Sequence, residues 1–418
     1  GLRRSTYDDG GREPEEIMEA HDNQSNEHDV ADIIATAGEL LASRFGGRPE
    51  LTDPEDLGGS SRAMVVRLRV SPNPFLPVRS LVVKRMPESS AAGADPALLR
   101  EIVAYQFATS LPEDVRPGPE LLAHDVAERI IVLSDAGDAP TLAEVLETGD
   151  ADTRLRALRS LGAALGRMHA GTAEREDGFN TLMSRMWSRH RGDEDASGER
   201  DRGIVRAIGV GMERLENAGL PVTDGVRRLA GDAARRISSG HHRAFTPFDL
   251  APDNILMAGR VSFLDYEWAG FRDATFDVAS VIAGFPLHVF TEPPTPEETD
   301  VFIRSWVEEV RLPWPEVVGE QHLRTRLMTA LLGWTLITVT ILHFGSPLAA
   351  LTAGVETPEG ERAEPLAGRG EALGGGVLER RDLLATARAL ESFSAGCEDP
   401  RAGEVGDFAR AIIQFVAE

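Results

Sequence analysis

Short runs of alternating apolar and polar residues fill the first third of the chain, and helical spacing dominates the rest. Residues 29–45 place apolar side chains at helical intervals. Residues 57–70 read as two strands around a tight turn, with Gly58, Gly59, Ser60 and Ser61 at the tip and Met64, Val66, Leu68 and Val70 alternating behind it. Residues 71–77 form a turn-rich break. Residues 81–84 follow as a short apolar strand ending in Lys84, residues 97–110 as a helix containing Glu101, and residues 128–133 as a buried strand that empties into a turn over 134–140. Strands with one helix predict a small sheet-based lobe.

Beyond residue 141 the pattern predicts helices over 153–170, 222–239, from 276 onward, 380–393 and 405–416. A strand pair over 254–256 and 261–264, turning at Ala258-Gly259, interrupts them. Residues 191–203 are charged and glycine-containing, and residues 354–376 are rich in Gly, Glu and Pro; both are expected to be loose insertions. Residues 1–30 are polar and acidic, expected to be a disordered leader with no apolar signal segment. The apolar run 327–344 is broken by Gly333 and four threonines, and it reads as a buried helix rather than a membrane span.

Charge and composition narrow the function. The 418 residues suffice for two lobes, and 42% hydrophobic with 27% charged residues suits a globular chain. A formal net charge of -24 argues against nucleic acid as a partner, because phosphate backbones recruit Lys and Arg; it suits solubility and tolerates a cationic substrate. The single cysteine, Cys397, excludes an internal disulfide and any cysteine-based zinc site, and a cytoplasmic protein is expected. His241 and His242 are adjacent, so their rings are not expected to share a metal, and a surface loop is their simpler setting.

The chemistry concentrates in residues 244–279. Asp249 precedes the strand pair, Asn254 stands at its start, and Asp265 just after its second strand, so the hairpin can gather all three at one end. Phosphoryl transfer needs such a set: one carboxylate to orient and deprotonate a hydroxyl, and an amide and a second carboxylate to hold magnesium on nucleotide phosphates. Taken singly, Asp249 and Asp253 are ordinary turn residues, Asn254 a strand cap and Asp265 a surface acid; the apolar strands between them favour a site.

The passage resembles the catalytic core of the aminoglycoside phosphotransferase and choline kinase-like family, relatives of protein kinases. That family's pattern is a His-Gly-Asp triplet, a Pro-Gly-Asn or Pro-Asp-Asn triplet, an apolar hairpin and an Ile-Asp-Trp-Glu-like turn. Here Asp249, Pro252-Asp253-Asn254 and Leu264-Asp265-Tyr266-Glu267 match it. The resemblance implies Asp249 as catalytic base and Asn254 and Asp265 as magnesium ligands. Asp273 and Asp277 match two downstream positions, with Asp277 implied to brace the catalytic loop. One departure stands out: Pro247-Phe248 replaces His-Gly, and proline removes a backbone donor.

The first lobe carries further matches. Gly58, Gly59, Ser60 and Ser61 resemble the family's nucleotide-covering turn, although a plain hairpin turn explains them equally. Lys84 is the only lysine in a chain that otherwise uses arginine, which hints at a role that a guanidinium cannot fill. With Glu101 it looks like the kinase Lys–Glu pair that positions phosphates. Leu133, Ser134, Asp135 and Ala136 occupy the hinge position, where the nucleotide base would bind. Met168-His169-Ala170 resembles the end of the first large-lobe helix, with His169 structural.

The resemblance implies an α+β, two-lobed protein kinase-like fold with a five-stranded antiparallel small lobe. The expected domains are the leader 1–30, a nucleotide-binding lobe and hinge 31–137, and a mainly helical catalytic and substrate lobe 138–418. It implies Mg2+ and ATP or GTP, and a small hydroxylated acceptor as the other partner, an aminoglycoside antibiotic or another basic metabolite being favoured. No membrane partner is expected. A catalytically impaired nucleotide-binding regulator is the alternative, motivated by Pro247-Phe248.

Overall fold

The computed structural model describes residues 14–58, 63–88, 93–192, 198–286, 288, 292–345 and 377–417. Gly59, Ser60 and Ser61 of the expected nucleotide turn, and the expected insertion 354–376, lie outside the described residues. The chain divides into two compact units at residues 90/91, 120/121 and 135/136.

The first unit holds α1 (Pro14–Phe45), β1 (Leu51–Asp56), β2 (Met64–Val70), β3 (Ser80–Arg85), β4 (Leu121–Asp125) and β5 (Ile130–Ser134). The strands form one five-stranded sheet in the order β1-β2-β3-β5-β4, with every neighbouring pair antiparallel. Period-two alternation turns Val66, Leu68, Val70, Leu81, Val83, Ile130 and Val132 to one face, where Ile33, Ala37 and Leu41 of α1 pack at four-residue spacing. Lys84 and Val82 fall on the opposite face, Lys84 standing between Val65 and Ile131 in register.

Two expectations change here. α1 begins at Pro14, inside the stretch expected to be disordered. Its early residues are polar and acidic but contain no glycine or internal proline, so they can continue the helix that Ile33, Ala37 and Leu41 anchor in the core. The first strand lies before residue 57, not after it. Its sequence, Leu-Thr-Asp-Pro-Glu-Asp, has no apolar alternation, yet β1 is an edge strand with a register shift between Thr52 and Glu55. Proline and exposed charge are tolerated there.

The second unit begins with α2 (Pro96–Ser110), capped by Asp95, whose side chain accepts the Ala97 N–H. Sequence pattern placed this helix with the sheet, within 31–137; the structure gives it to the helical unit. Aromatic packing is the reason. Phe107 meets Phe179, Phe245 and Phe271 at ring separations of 5.3–5.5 Å, and the Tyr105 hydroxyl donates to the Leu264 carbonyl at 2.8 Å.

The helices α3 (Leu142–Thr148), α4 (Ala151–Thr172), α5 (Glu176–His190), α6 (Glu199–Asn217) and α7 (Asp224–Ser238) follow. Residues 199–203, expected in a loose loop, form the first turn of α6, where Gly203 and Ile204 are buried. Next come β6 (Arg243–Thr246), β7 (Ile255–Met257), β8 (Val261–Phe263), β9 (Gly270–Asp273), α8 (Thr275–Ile282), α9 (Pro296–Val310), α10 (Glu320–Phe344), α11 (Val377–Ala395) and α12 (Ala402–Ala417). α10 is long and apolar enough to cross a membrane, but 83% of its apolar window is buried inside the protein. Thr329, Thr335 and Thr338 return their hydroxyls to carbonyls four residues back, which satisfies them in that apolar setting.

Candidate active site

Two small antiparallel ladders position the polar residues. β6 pairs with β9, setting Thr246 opposite Gly270, and β7 pairs with β8, setting Ile255 opposite Phe263. The first ladder delivers the turn that carries Asp249. The second brings the ends of its strands together, so that Asn254 and Asp265 meet: the Asn254 Nδ2 donates to Asp265 Oδ2 at 3.5 Å, and the Leu264 N–H donates to the Asn254 carbonyl at 2.9 Å. The Glu267 N–H donates to Asp265 Oδ1 at 2.9 Å and aims the carboxylate. An amide and a carboxylate side by side form an oxygen-rich pair that could hold a hard divalent cation.

Asp249 follows a tight turn in which its N–H donates to the Pro247 carbonyl at 2.7 Å. Phe248, at the centre, has a left-handed φ of 62°. The family pattern has glycine at this place, and the backbone adopts a conformation natural to glycine although the side chain is phenylalanine. The ring compensates by burial: it stacks on Trp334 at 4.7 Å, and the Arg272 guanidinium lies over it at 4.8 Å.

Behind this turn sits a buried relay. His169 Nε2 lies 2.8 Å from Asp277 Oδ2, and the Trp306 indole N–H donates to His169 Nδ1 at 2.9 Å. Because Trp306 can only donate, Nδ1 must accept; the ring proton therefore sits on Nε2 and points at Asp277. Burial raises the Asp277 pKa, opposed by His169, by Arg272 and by the Phe248 amide of the Asp249 turn. The implied bracing role of Asp277 thus has a physical basis. Asp273 is equally buried; it accepts from Thr275 at the start of α8 and from Arg326 at 2.7 Å.

Two residues went unnoticed in the sequence. His288 Nε2 lies 2.8 Å from Asp249 Oδ1, both side chains about a quarter exposed. Burial works to lower the His288 pKa, but the Asp249 hydrogen bond and charge, with Asp253 and Asp382, outweigh it and the net shift is upward. Asp382, on α11, has its carboxyl pushed up to about 8 by burial, with His288 pulling the other way. Nothing in a lone histidine or in a carboxylate 133 positions beyond Asp249 announces that they converge.

Other expected site residues fall in place less completely. Gly58 has a φ of 60°, and its N–H donates to Asp56 Oδ1. Lys84 is half-buried on β3 of the first unit, whereas Glu101 is fully buried on α2 of the second. Leu133 and Ser134 end β5. The Asp135 carboxylate is tied by Arg67 at 2.9 Å and by the Ser80 hydroxyl at 2.7 Å, and Ala136 opens the second unit. His242 departs from the surface-loop expectation, being buried with its Nε2 2.7 Å from Glu316 Oε1, whereas His241 is exposed as expected and reaches the same oxygen at 3.2 Å.

The fold has relatives among solved structures. Choline kinase from Cryptosporidium parvum aligns with a TM-score of 0.50 at 10% identity, covering 91% of this chain and 99% of that one. A choline/ethanolamine kinase family protein from Mesorhizobium loti aligns at 0.44 and 17% identity, over 91% and 99%. A macrolide 2'-phosphotransferase from Brachybacterium faecium aligns at 0.41 and 17% identity, over 79% and 100%. No protein-family model matches the chain, and no curated protein does. At these identities the likeness speaks for the fold alone, and that fold is the α+β kinase-like one which the motifs imply.

Proposed function

We propose that the protein transfers the terminal phosphoryl group of ATP or GTP to a hydroxyl of a small molecule. The observation that carries this reading is the joint geometry of β6–β9 and β7–β8, which presents Asp249 on a braced turn and sets Asn254 against Asp265. Asp249 is the base for the acceptor hydroxyl. Asn254 and Asp265 are the residues that would hold Mg2+, which when bound neutralises phosphate charge. Lys84 and Glu101 are assigned to positioning the nucleotide phosphates. Two carboxylates, Asp249 and Asp253, act together on His288. Such a surrounding favours a cationic acceptor, an aminoglycoside or another basic metabolite. A cytoplasmic setting suits a chain with one free cysteine.

The test is release of nucleoside diphosphate by the full chain with magnesium, against a panel of aminoglycosides, amino alcohols and sugars. Acceptor-dependent release that falls by several orders of magnitude in Asp249→Asn supports the assignment; equal turnover in that variant overturns it. A second reading, a nucleotide-binding regulator, is favoured by the engagement of Asp249 with His288 and by Pro247-Phe248 in the turn. Magnesium-dependent nucleotide stabilisation without transfer to any acceptor or to water would select it.

A further inference from the structure

A cavity of about 610 Å³ inside the second unit gathers six arginines, Arg100, Arg200, Arg202, Arg206, Arg243 and Arg272, against three carboxylates, Glu176, Asp201 and Glu267. In a chain of net charge -24 that local excess of cations needs a cause. Most of the arginines are engaged. Arg243 grips Glu176 with contacts of 2.6 and 3.0 Å, Arg272 donates to Asp201 at 2.8 Å and to the Trp268 carbonyl at 2.7 Å, and Arg100 donates to Glu199 at 3.1 Å.

Arg200 and Arg206 differ. Arg200 Nη1 and Arg206 Nε and Nη2 are buried with no hydrogen-bond acceptor among the described residues. The Arg200 guanidinium lies over the Trp268 ring, 3.7 Å from its centroid. Burial, then the neighbouring charge of Arg100, lowers its pKa to about 10. Donors of a buried cation left without acceptors are costly, and like charges crowding them add to the cost. Such a cluster is well served by a ligand that brings oxygen acceptors and negative charge. Phe179, Met183 and Phe271 supply an apolar wall beside the guanidinium groups, suited to an organic body.

We propose that this cavity binds a small organic phosphate, its oxyanion received by Arg200 and Arg206 and its body by the apolar wall. The site is separate from the candidate active site, since Asp249, Asn254 and Asp265 do not line it. It nevertheless backs onto it. Glu267 and Trp268 stand two and three positions after Asp265, and Arg272, whose guanidinium holds the Trp268 carbonyl, also covers the Phe248 ring beside Asp249. A ligand here would bias the turn that carries the base.

The experiment is calorimetric titration of the full chain, without nucleotide, with phenyl phosphate and with inorganic phosphate, paired with thermal melting. Phenyl phosphate should bind and raise the melting temperature, and inorganic phosphate should bind more weakly. Arg206→Gln should weaken phenyl phosphate by about tenfold or more, the worth of a charge-assisted hydrogen bond. Lys84→Ala should leave that binding unchanged. Without ligand, Arg206→Gln should melt no lower than the parent, since it removes an unpaired buried cation, and Arg206→Lys guards against a folding defect. No binding to the parent, or binding lost in Lys84→Ala and kept in Arg206→Gln, would overturn the proposal. Equal affinity for the two probes would mean an adventitious additive only.

Discussion

His288 closes onto Asp249, Nε2 to Oδ1 at 2.8 Å, so the carboxylate proposed as the base already has a partner. Because the folded His288 pKa is raised, the pair's stabilisation is fully present below the ordinary imidazole value of 6.5 and is lost as pH rises through the higher folded value. His288→Gln should therefore lose about 1 kcal/mol relative to the parent at pH 6, and the gap should close in alkaline solution. Melting curves of both proteins across that range check it; a gap that widens with pH would refute the assignment.

Asp382 also makes the parent less stable as pH rises, but here the group is a liability that its removal relieves. Its folded carboxyl, pushed up to about 8, holds a proton that the unfolded carboxyl releases near 4. Between those values the unfolded state binds fewer protons, so the parent loses stability as pH rises. Asp382→Asn mimics the protonated form and escapes that loss. The variant should match the parent near pH 4 and exceed it increasingly up to about pH 8. Denaturant unfolding at several pH values measures the difference, and parallel profiles would show that Asp382 is ionised throughout.

The candidate hairpin was legible because Asn254 and Asp265 bracket its apolar strand residues within eleven positions, and local order survives translation into structure. The sheet was legible for the same reason wherever strands alternate, and not at β1, where an edge strand with Pro54 carries no alternation to read. α2 looked like a helix of the sheet unit because sequence adjacency says nothing of the aromatic cluster around Phe107. His288, Asp382, and the Trp306–His169–Asp277 relay depend on contacts between distant segments, which no local pattern encodes.

Phe248 sets strain against burial. Its φ of 62° costs a non-glycine residue about 1–2 kcal/mol, while its ring is almost fully buried against Trp334. Phe248→Ala gives up the ring and keeps the strain; Phe248→Gly gives up both. Both variants should be less stable than the parent, with glycine above alanine by about 1 kcal/mol. Chemical denaturation ranks the three, and an alanine variant equal to or above glycine would deny the left-handed turn.

The relay predicts a tautomer. Trp306 donates to Nδ1 of His169, so the ring should carry its proton on Nε2. Nitrogen NMR of the labelled protein, with the signal assigned by loss in His169→Asn, reads this directly. Trp306→Phe should cost about 3 kcal/mol or less through the lost bond and the smaller ring, and should release the tautomer to exchange. A proton found on Nδ1 in the parent would break the inferred chain of donors.

Gly118 ties the hairpin to the segment before the sheet's fourth strand. A Cβ there would stand 2.1 Å from the Phe263 carbonyl oxygen and 2.9 Å from the Tyr266 hydroxyl, closer than carbon and oxygen tolerate. The Phe263 N–H donates to the Pro117 carbonyl at 2.8 Å, so neither segment can retreat without losing that bond. Phe263 and Tyr266 flank Leu264 and Asp265, hence the displacement would reach the proposed magnesium carboxylate. Gly118→Ala should cost about 1–3 kcal/mol of stability. It should also weaken magnesium-dependent nucleotide binding more than a comparably destabilising change remote from the hairpin, such as Ile33→Val. Melting and nucleotide titration of the two variants side by side decide the matter. Equal nucleotide affinity in both would confine the role of Gly118 to folding, and parental stability in the alanine variant would remove the close approach itself.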